Sequence, residues 1–325
     1  MNYNLLHILI AAVLFLLTAH TARGEELSFR PTVHGTFRAA WELNADDGTQ
    51  RFQVRNARLS LGGHVLPAAE YFLQVDFCDL GSMKIMDAYA RISATNRLKF
   101  KFGQFVIPFR NPQRFVFANR SFTAKKMMTY RAVGAQAGYT FAGFPLTVEA
   151  GMFNPATIGN QEKWHRTFTW SGRAKFTPGK WEYSLGFASA KPYDIRANLV
   201  DVSVAWNDRL HWKLFAEYMF ERYSKSAGKP VHTWIGFINW FTGVHLGPFN
   251  RLSFQAREEG ITDHLELDGS AVDPAHGRIT LGATLSVLRG ERRCDVRLNY
   301  ERYIHHDHAS EYERNRIAAE LVLLF

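Results

Sequence analysis

Between Arg110 and Arg131 the chain carries six cations, Arg110, Arg114, Arg120, Lys125, Lys126 and Arg131, and neither Asp nor Glu. A basic stretch this dense suits one kind of chemistry, the holding or passing of anions. Arginine offers a planar fork that meets a carboxylate or phosphate with two parallel hydrogen bonds, and lysine adds a compact point charge. In a narrow, low-dielectric passage such cations lower the energy of an entering anion and raise that of a cation. The stretch also holds Phe115, Phe117 and Phe122, which suit a segment packed against a wall better than a solvated loop. The expectation is a segment folded into a confined space as a constriction. The competing use is a solvated outer loop whose cations meet lipopolysaccharide phosphates.

Other chemistries find less support. His305-His306-Asp307-His308 joins imidazoles and a carboxylate that suit zinc or copper, but nothing nearby completes a site, and a polar solvated loop is the simpler reading. Asn119-Arg120-Ser121 fits a glycosylation sequon by chance. Gly-x-Ser-x-Gly, His-Glu-x-x-His and phosphate-cradling glycine motifs are all missing. The sequence therefore predicts a non-enzyme without metal or cofactor.

The elements that position the basic stretch are strands. Glu70, Phe72, Gln74 and Asp76 alternate with Tyr71, Leu73, Val75 and Phe77, and the same two-residue beat recurs to the final Ile317/Ala319/Leu321/Leu323/Phe325. About sixteen segments of roughly 9–14 residues follow, the length a tilted strand needs to cross a bilayer. They fall near 30–43, 51–65, 69–79, 84–94, 97–107, 132–142, 144–154, 166–177, 180–190, 197–207, 209–222, 231–244, 250–259, 277–288, 292–304 and 313–325. Connections alternate between short turns (Leu66-Pro67-Ala68, Thr95-Asn96, Gly143, Pro178-Gly179, Asp208) and longer ones (44–50, 80–83, 108–131, 155–165, 191–196, 223–230, 260–276, 305–312). That alternation belongs to outer-membrane barrels. Phe176, Trp181, Trp206 and Trp212 flank two of the turns on the apolar parity, where an interfacial girdle sits. A break of phase at Arg55–Asn56 reads as a β-bulge.

The fold class expected is therefore all-β, a transmembrane antiparallel barrel of about sixteen strands with a long third outer loop folded into the lumen. Residues 5–17 form an apolar core ahead of Ala22-Arg23-Gly24, so 1–24 reads as a signal peptide and 25–325 as one barrel domain. The formal charge of +9 is spread over many strands, which disfavours nucleic acid as a partner. A soluble sandwich would have to place Lys, Arg and Glu at every second core position, at high cost.

Phe52-Gln-Val-Arg-Asn-Ala-Arg-Leu-Ser-Leu-Gly-Gly63, Tyr71-Phe-Leu-Gln-Val-Asp-Phe77, Asp87-Ala-Tyr-Ala90 and Gly103-Gln-Phe-Val-Ile-Pro-Phe109 resemble, in order and spacing, the phosphate-selective porin O and P family. The resemblance covers about residues 51–131 and implies a trimeric sixteen-stranded barrel with an inward third loop that conducts anions such as phosphate and chloride. That family's ladder of alternating arginines has no counterpart here; the nearest are Lys99/Lys101, Arg173/Lys175 and Arg55/Arg58. The lumen-lining cations expected are Arg58, Arg91, Lys99, Lys101, Arg173 and Lys175, with Asp76 and Asp87 as anchors for the loop's arginines or as members of the wall's ion pairs. Phe325 resembles the terminal aromatic read by the barrel assembly machinery. The function expected is a passive, anion-preferring outer-membrane porin; the alternative is a barrel enzyme or surface binding protein with a closed lumen.

Overall fold

Lipid offers no hydrogen-bond partners, so a strand in a bilayer must find both its neighbours within the protein, and a sheet there has to close on itself. In the computed structural model the chain does this. The structure describes residues 30–79, 81–111, 131–155, 162–191, 195–208, 210–224, 229–265, 272–304 and 314–325. Its strands are β1 (Thr32–Asn44), β2 (Gln50–Leu66), β3 (Ala69–Asp79), β4 (Ser82–Ser93), β5 (Leu98–Val106), β6 (Arg131–Thr140), β7 (Leu146–Phe153), β8 (Thr169–Phe176), β9 (Trp181–Ala190), β10 (Ala197–Asn207), β11 (Trp212–Tyr223), β12 (Val231–Phe241), β13 (Arg251–Ile261), β14 (His264–Leu265), β15 (Val272–Asp273), β16 (His276–Arg289), β17 (Arg292–Ile304) and β18 (Arg316–Leu324). β14 and β15 form a separate two-stranded ribbon; the other sixteen make one closed antiparallel barrel with β1 paired to β18.

The two-residue period sorts side chains between lipid and lumen. On β9 to β11, Leu185, Phe187, Val202, Leu214 and Tyr218 point outward and are exposed, while Ser184, Asp201, Ser203 and Glu217 point inward and are buried. Aromatic rings band the short-turn end: Trp181 lies 6.3 Å from Trp206, Trp212 stacks 5.9 Å from Trp240, and Phe144 stacks 5.0 Å from Phe176. Such a band suits the membrane–water boundary. The turn after β10 is tied by Asp208, whose carboxylate accepts from the backbone N–H groups of Leu210 (2.9 Å), His211 (2.8 Å) and Trp212 (2.8 Å). Those bonds, that to Trp212 foremost, hold its carboxyl below the usual carboxylate range.

Arg55 is the extra residue of a bulge, since Arg38 pairs with Asn56 and Ala39 with Val54. Three details differ from the sequence reading. β3 ends at Asp79 and β4 begins at Ser82, so the second outer connection is short. β12 stops at Phe241, because Gly243 takes φ +71° and the chain folds into a small bridge between Leu246 and Phe249. The inner wall is also more apolar than alternation suggests: Leu199, Phe215, Met219, Ile235 and Phe237 point inward and are buried.

The closing seam of β1 and β18 is extended at one end by a contact between Gly35 and Phe325. Gly35 N–H donates to the Phe325 carbonyl at 2.6 Å, and Phe325 N–H donates back at 3.1 Å. A Cβ at Gly35 would run into the Phe325 ring, whereas one at Gly236 would meet nothing within 4 Å. Gly35→Leu is therefore expected to weaken the closed barrel, and Gly236→Ala to be tolerated, with overpacking costing about 1–3 kcal/mol. Heat-modifiable migration on SDS gels, which separates closed from open barrels, checks both variants.

Candidate functional site

The lumenal site begins where β5 leaves the wall. Gly103 adopts φ +125°, and a Cβ there would collide with the Ala88 carbonyl oxygen. The next residue, Gln104, is buried and donates from Nε2 to the carbonyls of Ile85 (2.9 Å) and Met86 (3.0 Å), filling the irregular pairing of β4. Ile107, Pro108 and Phe109 then form a tight turn in which Phe109 N–H donates to the Ile107 carbonyl at 2.9 Å. This bond spans two residues, and proline at the centre presets φ for it.

The turn sends the chain across the lumen to β8, β9, β10 and β11. The Phe109 carbonyl presses on Gly186, where any Cβ would clash with it. Phe109 is fully buried among Phe105, Ile107, Ala188, Leu199 and Met219. Arg173 donates from Nη1 to the Arg110 carbonyl at 2.7 Å, and the Asn111 amide donates to Glu182. Arg110 itself makes a two-pronged contact with Glu217, Nε to Oε1 at 2.7 Å and a second N–H to Oε2, with Asp201 3.7 Å away. Both Arg110 and Glu217 side chains are 1 % exposed or less. Arg110 thus latches the beginning of the loop to the far wall, and its charge is offset there instead of facing a passing solute.

The other expected residues divide as follows. Arg131, where the chain rejoins the barrel, donates to Asp87 from Nε (3.0 Å) and Nη2 (3.3 Å). Asp76 belongs to the wall: it accepts from Arg58 Nε (2.7 Å), Asn56 Nδ2 (2.9 Å), Ala57 N–H (3.0 Å) and Cys78 N–H (3.2 Å). Arg91 pairs with Glu70, Arg173 with Glu149, and Lys175 with Glu182 at 3.5 Å. Lys99 is exposed and Lys101 half-buried, and among the described residues neither makes an ion pair with a carboxylate. Arg114, Arg120, Lys125, Lys126 and His305 to His308 lie outside the described residues.

Sequence reasoning placed Arg297, Arg316 and Glu320 on the polar parity but missed Asp201, and on the opposite wall Arg38, Arg257, Glu259, Arg278 and Glu301. There Arg278 Nε donates to Glu259 at 2.8 Å, Arg257 lies 3.1 Å from Glu259, and Arg316 reaches Glu301 and Glu42, each at 3.4 Å. Arg297 lies 3.1 Å from Glu320, and Arg38 donates to Glu320 from Nε at 2.9 Å. The signal was present at Asp201, since Val200, Val202 and Val204 alternate with Asp201 and Ser203.

No protein-family model and no curated protein sequence matches the chain. Its structure is similar to that of OprB from Pseudomonas putida at high pH, with a TM-score of 0.64, 13% identity, and 91% of this chain and 93% of that one covered. It is also similar to an anion-selective porin from Comamonas acidovorans (TM-score 0.61, 13% identity, 91% and 99% covered). A trimer form of OmpT, an outer membrane protein of Vibrio cholerae, gives a TM-score of 0.61 at 12% identity, with 91% and 99% covered. At these identities the likeness is one of fold, the closed barrel that crosses a bacterial outer membrane.

Removing Arg110 would leave Glu217 and Asp201 buried without their cation. Arg110→Met is expected to destabilise the barrel by roughly 3–5 kcal/mol, while Arg110→Met with Glu217→Gln recovers part of that loss. Denaturant midpoints in lipid vesicles measure both, and a single variant no less stable than wild type would rule out the latch.

Proposed function

We propose that the chain is a passive pore of the outer membrane that prefers small anions. The observation that carries this reading is which inner-wall cations make no ion pair with a carboxylate among the described residues. Among the described inward residues, Arg38, Arg55, Arg58, Arg91, Arg131, Arg173, Arg257, Arg278, Arg297 and Arg316 each lie against a carboxylate. Lys99, Lys101 and Arg251 do not; Arg251 lies 4.9 Å over the Phe241 ring instead. A positively charged lumen with low-dielectric walls concentrates anions and repels cations.

Arg114, Arg120, Lys125 and Lys126 would add to that field if their loop follows the inward path begun at Phe109. Phosphate or polyphosphate is a candidate solute, on the strength of the motif resemblance and the density of guanidinium groups. Three further roles belong to the same reading: assembly as a homotrimer, handling of Phe325 by the barrel assembly machinery, and export through cleavage of residues 1–24. The burial of Arg257, Glu259, Arg278 and Glu301 on the β13–β17 wall favours a second reading, a lumen closed on that side and a protein that binds ligand or catalyses at its surface. Ligand binding or hydrolysis without conductance after reconstitution would establish it.

Zero-current potentials in asymmetric potassium chloride test the pore. Chloride is expected to be favoured. Lys99→Gln with Lys101→Gln should lower the chloride-to-potassium permeability ratio, as should neutralising Arg114, Arg120, Lys125 and Lys126 together. The preference should also shrink as salt rises, since the screening length falls from about 10 Å at 0.1 M to about 3 Å at 1 M. A cation-favouring potential overturns the proposal.

A further inference from the structure

Inside the barrel, β3, β4, β5 and β7 bring four rings into one continuous band. Phe72 stacks on Tyr89 with centroids 5.4 Å apart, Tyr89 meets Phe105 edge to face at 5.7 Å, and Phe105 meets Phe153 edge to face at 5.5 Å. β6 runs between β5 and β7, and the band crosses it at Gly134, where a Cβ would collide with Phe153 and with the Met152 carbonyl. The Phe105 and Phe153 end is buried, while Phe72 and Tyr89 are half-buried.

Over this band sits Lys101, with its Nζ 4.8 Å from the Tyr89 centroid and 4.7 Å from that of Phe105. The two ring faces hold the ammonium by cation–π attraction, which fixes its place without neutralising it. Lys99 follows on the same inner face and is exposed. Among the described residues, neither ammonium nor the Tyr89 hydroxyl has a hydrogen-bond partner. The neighbouring carboxylates each have a closer cation, Glu149 in Arg173, Asp87 in Arg131 and Glu70 in Arg91. The result is a cluster of donors without a hydrogen-bond partner among the described residues, with two lysine charges, beside rings that are only half-buried.

We propose that Phe72, Tyr89, Lys99 and Lys101 form a lumenal binding site for aromatic carboxylates. The carboxylate takes hydrogen bonds from the Lys101 ammonium and the Tyr89 hydroxyl, Lys99 supplies a second charge, and the solute's ring lies against Phe72. A short aliphatic anion satisfies only the charges, and an uncharged aromatic only the ring. The solute that satisfies both is planar, apolar in body and anionic at one end. This inference rests on the anion-pore reading and narrows its substrate class.

The test uses the full-length protein in planar bilayers, with benzoate added to chloride-carrying channels. Acetate and cyclohexanecarboxylate serve as the charge and apolar controls. Benzoate is expected to reduce the chloride current at a concentration about tenfold lower than either control. Lys101→Gln should raise benzoate's half-blocking concentration by a similar factor. Phe72→Leu should erase the difference between benzoate and cyclohexanecarboxylate. Tyr89→Phe, which keeps the ring, guards against a folding failure and should weaken benzoate block less than Lys101→Gln. Equal block by benzoate and cyclohexanecarboxylate, or no block by either, overturns the site while leaving the anion pore intact. A cation-favouring zero-current potential in potassium chloride without benzoate removes the pore reading itself.

Discussion

The backbone's need for hydrogen bonds in a medium that supplies none governs this structure. It is met at the seam between β1 and β18, where nine residue pairs run from Thr36–Leu324 to Asn44–Arg316. Without that seam, two strand edges would face lipid with their N–H and C=O groups unpaired, each at a cost of several kcal/mol. Phe325 ends the chain on this seam, where its ring rests on a residue without a side chain. Phe325 is thus part of the bond pattern that closes the sheet.

Closure turns the sequence's alternation into two chemically distinct surfaces. Outward positions need only be apolar, and they tolerate Val, Leu, Phe or Trp in turn. Inward positions carry many charges close together, and most of those that are buried lie against an opposite charge. Glu42, for example, is shared by Arg51, Arg55 and Arg316 from strands on both sides of β1. Sharing of this kind fixes the positions of long side chains and spends their charge locally. The net field inside the barrel then depends less on how many arginines line the wall than on how many of them are matched by a carboxylate.

Most of the barrel was legible because period two, turn residues and loop lengths are local signals. The bulge at Arg55 was visible as a phase slip between Phe52/Val54 and Ala57/Leu59. The contacts of Arg110 were not, because Glu217 lies 107 positions away. No local pattern tells which inward carboxylate a loop cation will reach. The inward apolar residues were obscured for a related reason. Leu199, Met219 and Phe109 are ordinary hydrophobic residues in sequence, and only the crossing of the lumen shows that they pack against each other.

That crossing is built from parts that each fail alone. Pro108 bends the chain, but a bend without Gly186 would drive the Phe109 carbonyl into a side chain. Gly186 makes room, yet room without Arg110 removes from buried Glu217 and Asp201 the cation that lies against both. Arg110 in turn needs Arg173 on its own carbonyl and Glu149 behind Arg173 to hold that arginine in place. Because every member is held by the next, the position of the loop's first residues is set by the far wall and not by β5, from which they depart. A segment tied at several points to the far wall in this way holds its place inside the barrel, and supporting contacts of this kind are what fix the geometry of a group that faces the interior.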